Sequence, residues 1–400
     1  MTIRLDPTRS AGLAALGDFL PNAGRHYAAQ RNFDYGLDNR ANVSSLSPYI
    51  RHRLITEQEV VAAVLRRHRF ADAEKFIQEV FWRTYWKGWL EMRPAVWTDY
   101  RLSCEQLLGS VNEAPWAEAY SRACSADTEY AFFNEWVSEL IEAGYLHNHT
   151  RMWFASIWIF GFGIPWELGA DFFYRHLLDG DPASNTLSWR WVAGLQTAGK
   201  SYFATADNIN RFTGGRIAPG TISLSGGPSA QDVKFYPAQP LRIASSVPTG
   251  RAGLLITEED LMPNSIALDG VSIVAVAGLE AAVDRSTLAV STPVVDFTKG
   301  AVADGLSRAG SQFRATPQML EAFTAATLIT WAKASNVSII ITPYAPTGPV
   351  ADRFAEVQPA LAAEGIALHQ IRRSWDSTAW PYATKGFFTF KEKIPGLIAG

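Results

Sequence analysis

From Leu13 to about Phe212 the apolar residues recur at helical spacing. Val60, Val61, Val64 and Leu65 mark one apolar face, Phe76, Val80, Trp82 and Trp86 a second, and Phe132, Phe133, Trp136, Val137, Leu140 and Ile141 a third. This half is predicted to be nearly all helix. Between Gly214 and Pro240 the clusters give way to Gly, Ser and Pro, the composition of a linker or a long surface connection. Short aliphatic and β-branched runs follow: Leu241 to Ser245, Gly253 to Thr257, Val271 to Ala277, Leu288 to Val295, Val337 to Thr342 and Ile366 to Ile371. Most are continuously apolar, and helical stretches such as Pro317 to Ala334 and Val350 to Glu364 separate some of them. Buried parallel strands with crossover helices produce that pattern. The expectation is a multidomain α and α/β chain: a helical domain over 1–215, a linker over 216–239 and a Rossmann-like parallel α/β domain over 240–400. No G-x-G-x-x-G fingerprint or P-loop is present, so the loops after Thr257 and Thr342, at the carboxyl ends of strands, are where a ligand is expected.

Composition narrows the classes. With 36 Lys+Arg against 39 Asp+Glu, the formal charge of −3 excludes a protein that wraps nucleic acid by bulk positive charge, so any DNA contact must be a local patch. Two cysteines, Cys104 and Cys124, are too few for a four-thiolate zinc site or an iron-sulfur cluster. The greasy run from Trp153 to Trp166 is interrupted by Ser156, Gly161 and Gly163 and falls short of the roughly 20 residues that span a bilayer. With no signal pattern at the N-terminus, a cytoplasmic protein without membrane contact is expected. Eleven of the 14 tryptophans lie between Trp82 and Trp191, so the helical half is built around aromatic surfaces.

Four segments carry chemistry. In Phe76 to Trp86, the residues Glu79, Trp82, Arg83 and Trp86 stand at i, i+3, i+4 and i+7, so one helical face offers a carboxylate beside indoles and a guanidinium. An Arg-Glu pair at a core edge would read the same way. Asn148, Arg151 and Met152 share a face just before the greasy run, where a buried amide and cation need partners. In Asp179 to Trp191, Asp181 followed by Pro182 reads as a helix cap, with Asn185 and Trp189 on one face beyond it. Arg151 with Asp179 could equally be a structural ion pair. The hydroxyls of Ser44, Ser45 and Ser47 at a helix start would cradle a phosphate or merely cap a helix.

Together these strings resemble the photolyase and cryptochrome flavoproteins over most of residues 11–215. The matching pieces are Tyr27 to Asn32, Ser44 to Tyr49, Phe76 to Tyr85, His147-Asn148 with Arg151-Met152, and Asp179-Gly180-Asp181 with Asn185, Trp189 and Trp191. The resemblance implies a helical FAD-binding domain. Tyr27, Ser44, Ser45, Leu46 and Ser47 resemble its flavin phosphate site; Asn148, Arg151, Asp179, Asp181 and Asn185 resemble its ring and adenine pocket, with Asn185 facing N5. Glu79, Trp82 and Met152 resemble the lesion pocket of the cyclobutane pyrimidine dimer enzymes, in which Glu79 would hydrogen-bond the thymine carbonyls and Trp82 stack on the flipped-out dimer. Trp189 and Trp166 resemble the inner and middle tryptophans of the wire that reduces the flavin by light, and Trp116 and Trp97 compete for the outermost place.

The implied activity is blue-light-driven repair of dimers in UV-damaged DNA, that of a deoxyribodipyrimidine photolyase; a cryptochrome-like photoreceptor without repair is the alternative. Asn148 and Met152 stand where the pyrimidine-pyrimidone enzymes place histidines, and plant cryptochromes carry an acid where Asn185 stands. Two departures from the family stand out. The α/β domain precedes the flavin domain in ordinary photolyases, whereas Leu254 to Leu261, Thr342 to Pro349 and Trp380 to Phe388 resemble it here after the helical half, an order shared with a short bacterial photolyase-like group that favours single strands. An antenna chromophore does not follow from that likeness. Among the DNA contacts implied, Arg31, Trp82, Arg83 and His149, the last stands where the motif usually has Arg, and Ala204 likewise replaces Arg, while Lys200 and Arg211 remain as further cations. Fewer phosphate contacts fit single-stranded or frayed DNA. A monomer that needs no protein partner is expected.

Overall fold

The computed structural model describes residues 5–197, 200–225 and 234–399. Helices α1 (Arg9–Phe19), α2 (Arg25–Gln30), α3 (Ser47–Arg51) and α4 (Glu57–Arg67) lead into α5 (Phe70–Glu91), whose 22 residues are the backbone of the helical half. Glycine enters α5 only at Gly88, where a Cβ would lie 2.8 Å from Cδ1 of Trp380, so close packing on the C-terminal segment requires its absence. Around α5 stand α6 (Ala95–Gly109), α7 (Ala117–Cys124), α8 (Ala131–Ala143), α9 (Asn148–Ser156), α10 (Trp166–His176), α11 (Pro182–Val192) and α12 (Ala206–Phe212). A π turn, Ile157–Gly161, prolongs α9. The greasy run is thus buried helix as far as Phe160, followed by a short turn into α10, and among the described residues no helix is long and apolar enough to cross a membrane.

Five parallel strands follow in the order β3-β2-β1-β4-β5. In chain order they are β1 (Gly250–Thr257), β2 (Val271–Leu279), α13 (Thr292–Phe313), β3 (Pro317–Met319), α14 (Ala325–Ala334), β4 (Ile339–Pro343), α15 (Pro349–Ala363) and β5 (Ala367–Ile371), then α16 (Ser374–Ala379), α17 (Phe387–Phe390) and α18 (Ile394–Ala399). Strand β1 is buried on both faces, which is why its sequence reads as an apolar run. Leu254 and Ile256 join α13 and the helical half in one core, while Leu255 joins Trp331 and Phe354 in a second core under α14 and α15.

Three expectations about the runs are corrected. Leu241 to Ser245 forms no strand; its bonds to β5 are made by Ser245, whose N–H donates to Gln370 O and whose Oγ accepts from Gln370 N–H. Leu288 to Val295 is no strand either, because Pro293 sits in the first turn of α13, where its missing N–H leaves no bond unmade. The expected helix from Pro317 to Ala334 divides into β3 and α14, separated by the turn that Thr324 caps. Residues 226–233 of the expected linker lie outside the described residues. On its described part, Lys234 and Tyr236 both bond Asp99 of α6, and Gln239 N–H donates to Met92 O, so this stretch lies along the helical half.

Strand order reverses between β1 and β4, and the loops beyond their carboxyl ends run into the helical half. Glu259 pairs with Arg51 at 2.6 Å and Lys87 at 3.8 Å. Arg53 reaches Asp260 at 3.2 Å and Asp376 at 2.7 Å. Glu91 accepts from Tyr344, from Thr347 N–H and Oγ1, and from Arg242. The loops after Thr257 and Thr342, where a ligand was expected, are therefore docking elements. Buried charge in such a joint is tolerated because each ion faces a counter-ion, and removing one partner costs about 3–5 kcal/mol.

Candidate functional site

A cavity of about 650 Å³ opens between α5, α9 and α11, inside the range of roughly 300–1,000 Å³ for small-molecule and cofactor pockets. All four residues of the α5 face, Glu79, Trp82, Arg83 and Trp86, line it. The helical phase therefore does what its spacing predicts, but the partners differ. Glu79 pairs with Arg31 of the turn after α2 at 2.5 Å, whereas Arg83 turns to Asp181 at 3.5 Å. Burial raises the Glu79 carboxyl above the usual carboxylate range despite the Arg31 guanidinium.

Asp181 is the electrostatic centre of the floor. Its Oδ1 accepts from Ser184 N–H at 2.8 Å, the capping bond that Asp181-Pro182 predicts, while Oδ2 faces Arg83, Lys87 and Arg51 at 3.5, 3.5 and 3.9 Å. Those cations hold its carboxyl well below the ordinary range against the cost of burial. Lys87 and Arg51 escaped the sequence reading; Lys87 was visible as the position four beyond Arg83, whereas Arg51 is brought in by tertiary folding alone.

Arg151 and Asp179 form a two-pronged pair, at 3.1 and 2.9 Å, and Arg151 Nε donates to Leu146 O. Asn185 donates its amide nitrogen to Ala170 O at 2.7 Å, which leaves its carbonyl oxygen as the acceptor at the cavity wall. Asn148 is exposed at the start of α9, so the burial expected for it does not hold, and Met152 lines the cavity one turn on. His147 caps α9 by accepting His149 N–H on Nδ1, and burial lowers its pKa to about 4, so the ring is neutral. His149 is stacked on Trp153 at 4.4 Å and bonded through Nδ1 to Asn32 O.

Tyr27, Ser44, Ser45, Leu46 and Ser47 close one end of the cavity, with Ser45 in the left-handed region at φ 51°. The C-terminal segment also contributes Phe388 to the lining, and Phe387 lies face to face on Trp82 at 3.7 Å and 13°. Neither phenylalanine was expected at the site; the run Phe387-Phe388-Thr389-Phe390 after Gly386 was the available signal. Trp189 lines the cavity, while Trp166 lies off it, stacked on Tyr100 at 5.7 Å. Trp97 is buried and donates to Asp352 of α15; Trp116 is half-buried.

Residues 76–214 match the family model of the FAD binding domain of DNA photolyase. A deoxyribodipyrimidine photo-lyase of Synechococcus is 28% identical over 218 residues, covering 52% of this chain and 43% of the relative. That of Streptomyces griseus is 31% identical over 169 residues, covering 42% of this chain and 36% of the relative. A crystal structure of a bacterial class III photolyase from Agrobacterium tumefaciens overlaps at 24% identity and a TM-score of 0.40, covering 52% of this chain and 43% of that one. The chain spans less than half the length of these relatives.

The cavity fits FAD on its own chemistry. It combines the hydroxyls of Ser44, Ser45 and Ser47, apolar walls of Phe173, Leu177 and Trp189, and the Asn185 carbonyl oxygen left as an acceptor at the wall. Residues 76–214 thus carry a domain of the photolyase FAD-binding family.

Proposed function

We propose that this protein is a blue-light-driven repair enzyme for cyclobutane pyrimidine dimers in DNA, with a preference for single strands. The observation that carries the reading is the shared cavity wall on which Glu79, Trp82 and Met152 stand beside Asn185 and the Arg151–Asp179 pair. When bound, reduced FAD supplies one electron to the dimer under blue light and receives it back after the ring opens. The residues of the chain have distinct tasks. Trp82 offers the stacking surface for the flipped-out dimer, and Met152 packs at its edge. Glu79, whose carboxyl burial raises above the usual carboxylate range against the pull of Arg31, would in its protonated form donate a hydrogen bond to a thymine carbonyl and stabilise the charge that develops there. Arg151, held by Asp179, and the Asn185 oxygen orient the flavin ring, while Tyr27 and the Ser44–Ser47 turn hold the phosphate end. Trp189 and Trp166 carry electrons toward the flavin.

Strand preference is supported by the charges at the mouth. Arg31 and Arg83 are paired with Glu79 and Asp181, and His149 is bonded to Asn32, so the implied phosphate contacts already have partners in the protein. We further propose that the helical and α/β parts are two units, bounded near 215 and 240, in the order opposite to ordinary photolyases, and that the enzyme works as a monomer in the cytoplasm.

The test is direct. The purified protein is reduced and illuminated with blue light beside a dimer-containing oligonucleotide, single- and double-stranded in parallel, with Glu79→Ala as a control. Repair of the single strand at a higher rate supports the whole reading. Equal repair removes the strand preference, and flavin binding without any repair points to a photoreceptor.

A further inference from the structure

The C-terminal segment presents its rings in an unusual alternation. Phe387 and Phe390 are buried against α5, whereas Phe388 between them is 75% exposed and lines the mouth of the cavity that holds Trp82. The segment is pinned: Tyr85 Oη donates to Lys385 O at 2.8 Å, Arg93 Nη2 to Thr384 O at 2.8 Å, and Gly88 lets Trp380 lie against the helix. Phe388 is thus held out by its buried neighbours, and internal packing does not account for it.

Cations accompany the exposed rings. Lys391 Nζ stands 5.3 Å from the Phe388 ring centre, and Lys393 Nζ stands 5.9 Å from that of Tyr382, itself 45% exposed. Lys385 is exposed on the same segment, and Glu392 is the one acid from Tyr382 to Lys393. On a chain of net charge −3, this is a local positive strip interleaved with aromatic faces. Rings that stack bases beside ammonium groups that meet phosphates are the chemistry of single-strand binding.

We infer that Tyr382, Lys385, Phe388, Lys391 and Lys393 form a second nucleic-acid surface, on which Phe388 stacks an unpaired base next to the one that enters the Trp82 cavity. The inference rests on the DNA-repair reading for the identity of the strand, and it deepens that reading by giving the α/β half a part in strand selection. A paired base cannot offer its face to Phe388 without leaving the helical stack, so the surface favours single strands over duplex.

The experiment is fluorescence anisotropy in the dark with an undamaged, labelled oligothymidine strand and with the corresponding duplex, on protein loaded with FAD. Phe388→Ala should weaken single-strand binding by about tenfold, in line with the loss of one base–aromatic stack, and leave duplex binding within about twofold. Phe388→Trp should restore it, and Lys391→Ala with Lys393→Ala should flatten the salt dependence. Flavin absorbance and thermal unfolding, both unchanged, confirm that the exposed substitution leaves the fold intact. Undiminished single-strand binding by Phe388→Ala, or an equal loss on duplex, overturns the inference while leaving dimer repair standing. Failure of the unaltered protein to bind either form overturns the DNA reading as well.

Discussion

The indole of Trp82 and the ring of Phe387 lie parallel at 3.7 Å, so one face of the proposed stacking platform is covered from within the protein. Phe387 comes from the C-terminal segment, three hundred residues away in sequence. A dimer would therefore meet the other face of a two-ring stack that the α/β half helps to hold.

Phe387→Ala should consequently report on stability and on substrate together. Truncating a buried phenylalanine costs about 3–5 kcal/mol, read as a lowered denaturant midpoint with unchanged slope. Phe387→Leu keeps an apolar filler and should lose less stability, yet it removes the ring that braces Trp82. Its affinity for a dimer-containing strand should fall severalfold; unchanged affinity would show that Trp82 needs no such brace.

Glu79 gives a prediction in pH. Burial keeps its proton on above the usual carboxylate range, so the donating form is present at low pH and lost as pH rises through that elevated pKa. Dimer repair should decline on the alkaline side of that transition. Glu79→Gln, which donates at every pH, should flatten the profile, and Glu79→Ala should lower repair by about 10²-fold, the scale of losing one donor to developing charge. A profile identical in Glu79→Gln and the unaltered protein would remove the protonated carboxyl from the mechanism.

The joint between the halves has its own pH signature. Burial, and then the neighbouring Glu259, push the Glu258 carboxyl up to about 7, while Ala281 N–H donates to both its oxygens. In an unfolded chain a glutamate titrates near 4.3. Between these values the unfolded chain releases the proton that the folded chain keeps, so this group makes stability fall as pH rises from about 4.5 to 7. Glu258→Gln should abolish that fall, gaining about 3–4 kcal/mol over the unaltered protein at pH 8 and only about 1 kcal/mol at pH 5. Thermal unfolding at the two pH values decides it; an equal shift at both would assign the change to packing.

How much of this was legible from residues depends on whether an element declares itself locally. The face of α5 and the Asp181 cap of α11 are set by spacing and by the chemistry of one turn, so Glu79, Trp82, Arg83, Trp86 and Asn185 reach the same cavity as their phase requires. Pairings across the chain are not declared. Glu79 meets Arg31 instead of Arg83, Arg51 reaches Asp181, and the acidic loop after β1 meets Arg51 and Arg53. Leu241 to Ser245 has a strand's composition and no place in the sheet, because membership depends on a neighbour that local composition does not name.

The tryptophans yield the last prediction. Trp189, at the cavity, contacts Trp158 at 6.2 Å between ring centres, Trp158 contacts Tyr120 at 5.9 Å, and Tyr120 contacts the half-buried Trp116 at 6.2 Å. A separate string runs from Trp166 through Tyr100 at 5.7 Å to Trp97 at 5.5 Å, ending under Asp352. Trp166 sits at the start of α10, which packs on α11, the helix that carries Trp189, so the inner ends of both strings draw on the same helix pair. With an external thiol as reductant, Trp189→Phe should therefore suppress light-driven reduction of bound oxidised flavin. Trp158→Phe and Trp166→Phe should each slow it in part, and the double variant should match Trp189→Phe. The measurement is the bleaching of flavin absorbance under blue light, with dark flavin content as the control for binding. Full speed in Trp158→Phe, together with complete loss in Trp166→Phe, would reduce the two routes to one and make Trp97 the outer donor in place of Trp116.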